Sequence, residues 1–327
     1  MNRIIKGYLF VILSAILFGC LPLGANIAYN NGLNSFSLVF YRNLLALPIL
    51  YLPIRLRHEP LRLTPRSDFK KILPLSILGF CVTPALLFTS YNYLPSGTST
   101  TFHFIYPAMT ILGGVILFRQ HVGRGRVFCV LLCTIGIMLF YEPGGSLNLF
   151  GSAIALASGV TYALYIILLD YFRLESISRF KLSFYISATC AVVMLTVCLI
   201  TGTFAIPANA LCWVACLLTA FLAGAAANVL FQQGTLIIGG QRASILSTFE
   251  PITSIVTGVL IFGDPLSLRS VLGTVCVLAA TVLIAVLDMK TNGQPEWDSG
   301  PGLNVVNDES TAPHHIDTMK EDHNEHV

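Results

Sequence analysis

Charge is what this chain lacks. Of its 327 residues only 11% are Asp, Glu, Lys or Arg, against about 25% in a typical soluble domain. Eleven of the 35 charged residues fall within residues 288–327, which leaves 24 for the first 287. A water-soluble fold of that length would have almost nothing to solvate its surface. This excludes a soluble enzyme, a nucleic-acid binder and a disordered scaffold. Other signatures are missing too. There is no GxxxxGK[ST] phosphate loop, so ATP-driven work by this chain alone is not expected. No Ser–His–Asp set and no metal-ligand spacing stands out. The nine cysteines (20, 81, 129, 133, 190, 198, 212, 216 and 276) all fall in apolar runs without His or carboxylate neighbours, and read as small buried hydrophobes.

What is present is apolar length. Hydrophobic residues make up 55% of the chain and the mean hydropathy is +0.75. A membrane-crossing helix needs about 20 apolar residues. Ten stretches fit: 7–28, 34–54, 71–93, 98–118, 126–141, 151–169, 180–201, 211–234, 242–262 and 269–287. None shows the polar/apolar alternation of barrel strands. The first has basic Arg3 and Lys6 ahead of it, but it is too long for a removable signal and carries no small-residue cleavage pattern.

Lys and Arg set the orientation. The N-terminal side collects 17 of the 19 basic residues, notably Arg55, Arg57, Arg62, Arg66, Lys70 and Lys71 after the second stretch. The opposite side receives Arg269, and Arg42 lies within a stretch. Both termini are therefore expected in the cytoplasm, with the chain in the cell (inner) membrane. Residues 1–287 carry 17 basic and 7 acidic residues, and the tail 2 and 9. The tail lacks apolar periodicity and reads as a disordered acidic extension. It holds His314, His315, His323 and His326, which read as solvated residues or as a weak metal site.

The chain also repeats itself at an offset of 144. Gly7 and Ser14 fall on Gly151 and Ser158. Phe36, Leu38, Phe40 and Tyr41 fall on Phe180, Leu182, Phe184 and Tyr185. Pro107, Gly114 and Phe118 fall on Pro251, Gly258 and Phe262. Each repeat spans five stretches, an odd number, so the second enters the membrane from the other face. Inverted repeats recur in secondary transporters, with the substrate site near the midplane between the halves. The expected units are residues 1–143, 144–289 and the tail 290–327.

These landmarks resemble the EamA-type branch of the drug/metabolite transporter superfamily. The matching pieces are Gly7-Tyr8-Leu9 leading to Phe18-Gly19, Gly151-Ser152 leading to Tyr162-Ala163, Phe40-Tyr41-Arg42-Asn43, Tyr106-Pro107 and Phe249-Glu250-Pro251. The chain departs from the family's pattern at Gly263-Asp264, where a Gly-Glu pair is usual, and at Arg119-Gln120, where a Glu is usual. The resemblance implies an all-helical protein of ten spans in two inverted five-helix repeats. It also implies alternating-access transport of small metabolites, with export favoured over import.

Charges inside a span are expensive and mark function by default. Arg42 and Glu250 are the charged residues well within spans. Each lies about eight residues from a membrane face, roughly 12 Å deep at about 1.5 Å per residue. In a core of about 30 Å their depths differ by about 6 Å, within reach of two long side chains on facing helices. The offset puts Ile186 opposite Arg42 and Tyr106 opposite Glu250. Arg42 reads either as a structural residue or as a ligand for a carboxylate, and Glu250 as a structural acid or a proton site. Pro107 and Pro251 sit mid-span, each expected to kink its helix and free a carbonyl at His103 and Ser247. His103 reads as a proton shuttle or as a satisfied structural histidine. Asn26, Asn43, Asn92, Tyr106, Tyr162, Asn228, Gln232 and Gln233 are polar candidates for orienting a metabolite, or bridges between helices. The expected partners are lipid, a small polar or amphipathic metabolite such as an amino acid, and a coupling proton; no cofactor is called for. The rival readings are an intramembrane enzyme acting on lipid, and a channel or sensor.

Overall fold

Apolar runs in a bilayer must satisfy their backbone groups internally, which favours helices. The computed structural model of the chain describes residues 3–63, 68–118, 124–139, 148–174, 177–247, 249–263 and 267–291. These are helical, with no strand among them. Nearly all of the expected acidic tail lies outside them, as do Asp264 and the Arg119-Gln120 pair. Seven helical stretches among the described residues are long and apolar enough to cross a membrane, and Val127–Gly136 and Val271–Ala280 form shorter apolar helices. Large apolar side chains stay on the outside: Leu260 is 78% and Ile200 80% exposed. Hydrocarbon, not water, suits such a surface.

The first half contains α1 (Arg3–Gly19), α2 (Leu21–Asn30), α3 (Ser35–Leu56), α4 (Asp68–Leu75), α5 (Thr83–Ser90), α6 (Ser96–His103), α7 (Tyr106–Phe118) and α8 (Arg124–Met138). The second contains α9 (Leu149–Phe172), α10 (Arg179–Ile200), α11 (Ala210–Thr219), α12 (Asn228–Ile238), α13 (Gly240–Leu246), α14 (Phe249–Thr257) and α15 (Leu268–Thr291). Three π-helical segments join helices end to end: Ser76–Val82, Ala220–Ala227 and Gly258–Phe262.

Several expected spans are interrupted. The first breaks at Cys20 because Pro22, in the opening turn of α2, cannot donate an amide hydrogen and crowds the carbonyl four residues back. The fourth breaks at Phe104-Ile105, and the ninth between α13 and α14. The expectation of continuous helices kinked at Pro107 and Pro251 is thus corrected. Each proline stands in the first turn of a new helix, where its missing N–H is no loss. Ser247 O accepts the Glu250 N–H at 2.9 Å and is not a free carbonyl.

The offset of 144 reappears in three dimensions. The π segments begin at Ser76 and Ala220, and the short half-helices at Ser96 and Gly240. Asn34 caps α3 through the Ser37 amide and Ser178 caps α10 through the Lys181 amide. Close approaches match as well. A Cβ added at Gly7 would lie 2.7 Å from Ile238 Cγ2, and one at Gly151 2.6 Å from Tyr93 Cβ. These glycines let α1 lie on α12, and α9 on the turn between α5 and α6.

Equivalent helices pair with each other: α3 packs on α10, and α8 on α15. In turn α1 packs on α12 and α14, as α9 packs on α5, α6 and α7. The α3–α10 pair runs antiparallel. At one end Asn34 Nδ2 donates to Thr203 O at 2.6 Å, just past the end of α10. At the other, Lys181 Nζ donates to Arg62 O at 2.7 Å and Tyr185 OH to Leu61 O at 2.5 Å. Two matched helices pointing in opposite directions define an inverted repeat.

Candidate functional site

Several of the helix interruptions border a cavity between the halves. Its volume is about 40 Å³, room for about three water molecules at 10–15 Å³ each. Both halves line it. Phe18 and Leu21 flank the α1–α2 break, Arg42 comes from α3, and Gly79 from the first π segment. Thr83, Pro84, Leu87 and Phe88 come from α5, and His103 ends α6. From the second half come Tyr162 on α9, Asn228 on α12 and Glu250 on α14.

Tyr106 and Glu250 are separated by the repeat offset, and they touch. Tyr106 OH faces Glu250 Oε2 at 3.5 Å, a contact longer than an ordinary O–H···O hydrogen bond. Tyr106 is fully buried and Glu250 is 5% exposed. Residues that are equivalent in two repeats and also in contact lie on the axis relating the repeats. Glu250 occupies the first turn of α14, where unpaired amides and the helix dipole favour a carboxylate.

Aromatic rings wall the acid. Tyr106 and Tyr162 meet edge to face at 4.8 Å, and the His103 ring lies 5.3 and 5.4 Å from them. His103 Nδ1 is 2.8 Å from Ser158 Oγ. The Ser158 hydroxyl also sits 2.6 Å from Ala155 O. With its one hydrogen directed there, His103 donates from Nδ1 and keeps Nε2 as an acceptor, an assignment inferred from the network.

Arg42 is 3% exposed. Its guanidinium carbon stands 5.6 Å from the Phe88 ring centroid, a cation–π distance. Its Nε has no hydrogen-bond partner, and no ion pair reaches Arg42 among the described residues. Arg42 and Glu250 thus share a cavity without forming a contact pair.

The other polar candidates divide. Asn228 Nδ2 donates to Ala223 O, a carbonyl inside the second π segment, so it reaches the cavity while repairing the π segment. Gln232 bridges helices: its Oε1 accepts from Ser183 Oγ at 3.1 Å and its Nε2 donates to Tyr165 OH at 3.4 Å. Asn43 Nδ2 bonds Val39 O at 2.8 Å within its own helix. Asn26 is half-buried on α2, and Asn92 is exposed in the turn after α5; neither lines the cavity. Pro107 opens α7 beside Tyr106, and Pro251 follows Glu250. Sequence reasoning missed Thr83, Phe88 and Ser158. Thr83 Oγ1 lies 2.7 Å from Thr161 Oγ1, linking the halves. Single hydroxyls and phenyl rings in apolar runs carry no signal of their own. Among the described residues no group of three or more His, Cys, Asp or Glu side chains assembles to hold a metal ion.

An inverted helical repeat with a cavity lined by both halves is the build of a membrane transporter. The chain belongs to the EamA-like transporter family, whose profile matches residues 5–142 and again 149–286. It is similar to the uncharacterized transporter YcbK of Bacillus subtilis, at 24% identity over 82% of this chain and 88% of that protein. It is also similar to the uncharacterized inner membrane transporter YicL of Salmonella typhimurium, at 24% identity over 86% and 95%. A protein of known crystal structure shares the fold with a TM-score of 0.67 at 14% identity, over 86% of this chain and 98% of that one. The chain is therefore a multi-pass membrane protein of transporter type.

Proposed function

We propose that this chain is a ten-span secondary transporter that exports a small polar or amphipathic metabolite of amino-acid type by alternating access, with Glu250 as the proton site. The observation that carries this is the meeting of Tyr106 and Glu250, repeat-equivalent residues, beside a cavity shared with Arg42. A site on the axis between inverted halves is reached from either face when the halves exchange conformations. The cavity of about 40 Å³ is too small for a metabolite, so cargo enters and leaves only when the surrounding helices part. The paired π segments and half-helix breaks provide matched hinges for that exchange.

Coupling follows from the chemistry of the acid. A buried carboxyl that alternates between faces carries a proton in one direction, and a cargo ammonium group competes for the same oxygens. That competition gives antiport, in keeping with export. The reading also puts the chain in the inner membrane with both termini cytoplasmic, on the strength of its Lys/Arg distribution.

The test is reconstitution into proteoliposomes with a panel of radiolabelled amino acids and related metabolites, with and without an imposed pH gradient. The reading expects gradient-driven flux of at least one member. Flux indifferent to the gradient for every member contradicts the proton role of Glu250.

A further inference from the structure

Arg42 is the charged group in the cavity that the proposed proton cycle leaves unused. It is buried, its Nε lacks any partner, and no described carboxylate comes within ion-pair distance. Arginine stays protonated in proteins. Among the described residues the Phe88 face lies over the guanidinium, and a ring face satisfies no N–H donor. The nearby amides and imidazole are already committed. Asn228 is tied to Ala223, His103 to Ser158 and Gln232 to Ser183 and Tyr165. The charged donor in the cavity is therefore Arg42, beside the neutral Tyr162 hydroxyl. The second half has Ile186 at the matching position, so the axis does not duplicate this cation.

We infer that Arg42 is the anchor for a carboxylate on the transported molecule, which makes the cargo an organic monoanion or a zwitterion, not a cation or an uncharged polyol. This deepens the transporter reading and rests on it for the word cargo. A planar guanidinium receives a carboxylate through two parallel N–H···O bonds, which a lysine cannot reproduce. One guanidinium balances one negative charge, and Glu250 in the same cavity repels a second. A phosphate dianion is therefore disfavoured. In a zwitterion the carboxylate goes to Arg42 and the ammonium to Glu250, with Phe18, Leu21 and Leu87 beside any apolar part.

The test uses the purified full chain in detergent, with benzoate and its uncharged counterpart benzamide as probes at constant ionic strength, read by thermal shift and titration calorimetry. Benzoate should raise the melting temperature and benzamide should not. Arg42→Met should weaken benzoate binding by about tenfold or more, as expected for losing a charge-assisted pair. Arg42→Lys should fold and lose several-fold. If Arg42→Met does not fold, Arg42→Lys decides alone: benzoate affinity equal to wild type overturns the inference. No difference between benzoate and benzamide in the wild type also overturns it. So does a stability cycle in which Arg42→Met and Glu250→Met each unfold the protein while the double variant recovers, because Arg42 is then a structural partner of Glu250. Vesicle assays separate the two layers. Transport of uncharged compounds only, at the same rate in Arg42→Lys, sinks the anchor and keeps the transporter. Absence of any transport, with benzoate binding intact, sinks the transporter reading and keeps Arg42 as a carboxylate site.

Discussion

The two halves of this chain have nearly the same skeleton and different chemistry where they meet. Asn34 and Ser178 cap matched helices, Gly7 and Gly151 seat matched contacts, and the π segments begin at matched residues. Yet Tyr106 faces Glu250 across the axis, and Arg42 has Ile186 as its counterpart. Under the proposed alternating access, symmetric scaffolding would let either face open by one mechanism, and asymmetric side chains would let a polar, directional cargo bind in one way. The first property belongs to backbone and packing, the second to a few buried ionisable groups.

The comparison breaks most visibly if the acid is moved. Glu250→Tyr should abolish gradient-driven transport. Adding Tyr106→Glu returns one acid and one phenol to the axis, now from exchanged halves. Vesicle flux should then recover in part, since the pair is preserved and its surroundings are not. If the double variant folds, shown by an unchanged gel-filtration profile, and remains fully inactive, the axis pair is not interchangeable and the symmetry argument fails.

Next in size are the glycine contacts. Gly7→Leu and Gly151→Leu should each destabilise the protein by about 1–3 kcal/mol through overpacking, and by similar amounts. Thermal unfolding in detergent reads both. A large loss at one and none at the other would show that the matched packing does unequal work.

The smallest effects concern the caps. Asn34→Ala and Ser178→Ala each remove one side-chain acceptor from a helix start, costing about 1 kcal/mol. The Asn34 change should cost the more, because its Nδ2 also binds Thr203 O at 2.6 Å.

Much of this architecture is legible in the sequence. Long apolar runs without strand-like alternation announce helices, because a bilayer admits only helices and closed barrels, and seven helical stretches among the described residues are long and apolar enough to cross it. The repeat was visible because small residues at tight contacts, such as Gly7 and Gly151, tolerate little change. Arg42 and Glu250 stood out because charge in hydrocarbon is rare. The breaks were less visible. Pro107 and Pro251 marked their neighbourhoods, but a proline that kinks a helix and one that opens a new helix look alike in sequence. Pro22 gave the break at Cys20 only in retrospect. The π segments had no signal, since one inserted residue leaves an apolar run apolar. Asn92 and Gln232 looked equivalent to Asn228, and the difference between solvent, helix bridge and cavity is a matter of helix rotation. Phe88 beside Arg42 and Ser158 beside His103 come from distant stretches, and no local pattern joins them.

Glu250, the acid on the axis, is the proposed carrier of the coupling proton. The measurement that reaches it most directly compares wild type with Glu250→Gln in proteoliposomes, recording tracer exchange at equal pH and net flux under a pH gradient. Glutamine keeps the shape and removes the titrating oxygen. The account predicts that exchange persists while gradient-driven flux is lost. Gradient-driven flux at the wild-type rate, with unchanged pH dependence, would contradict it.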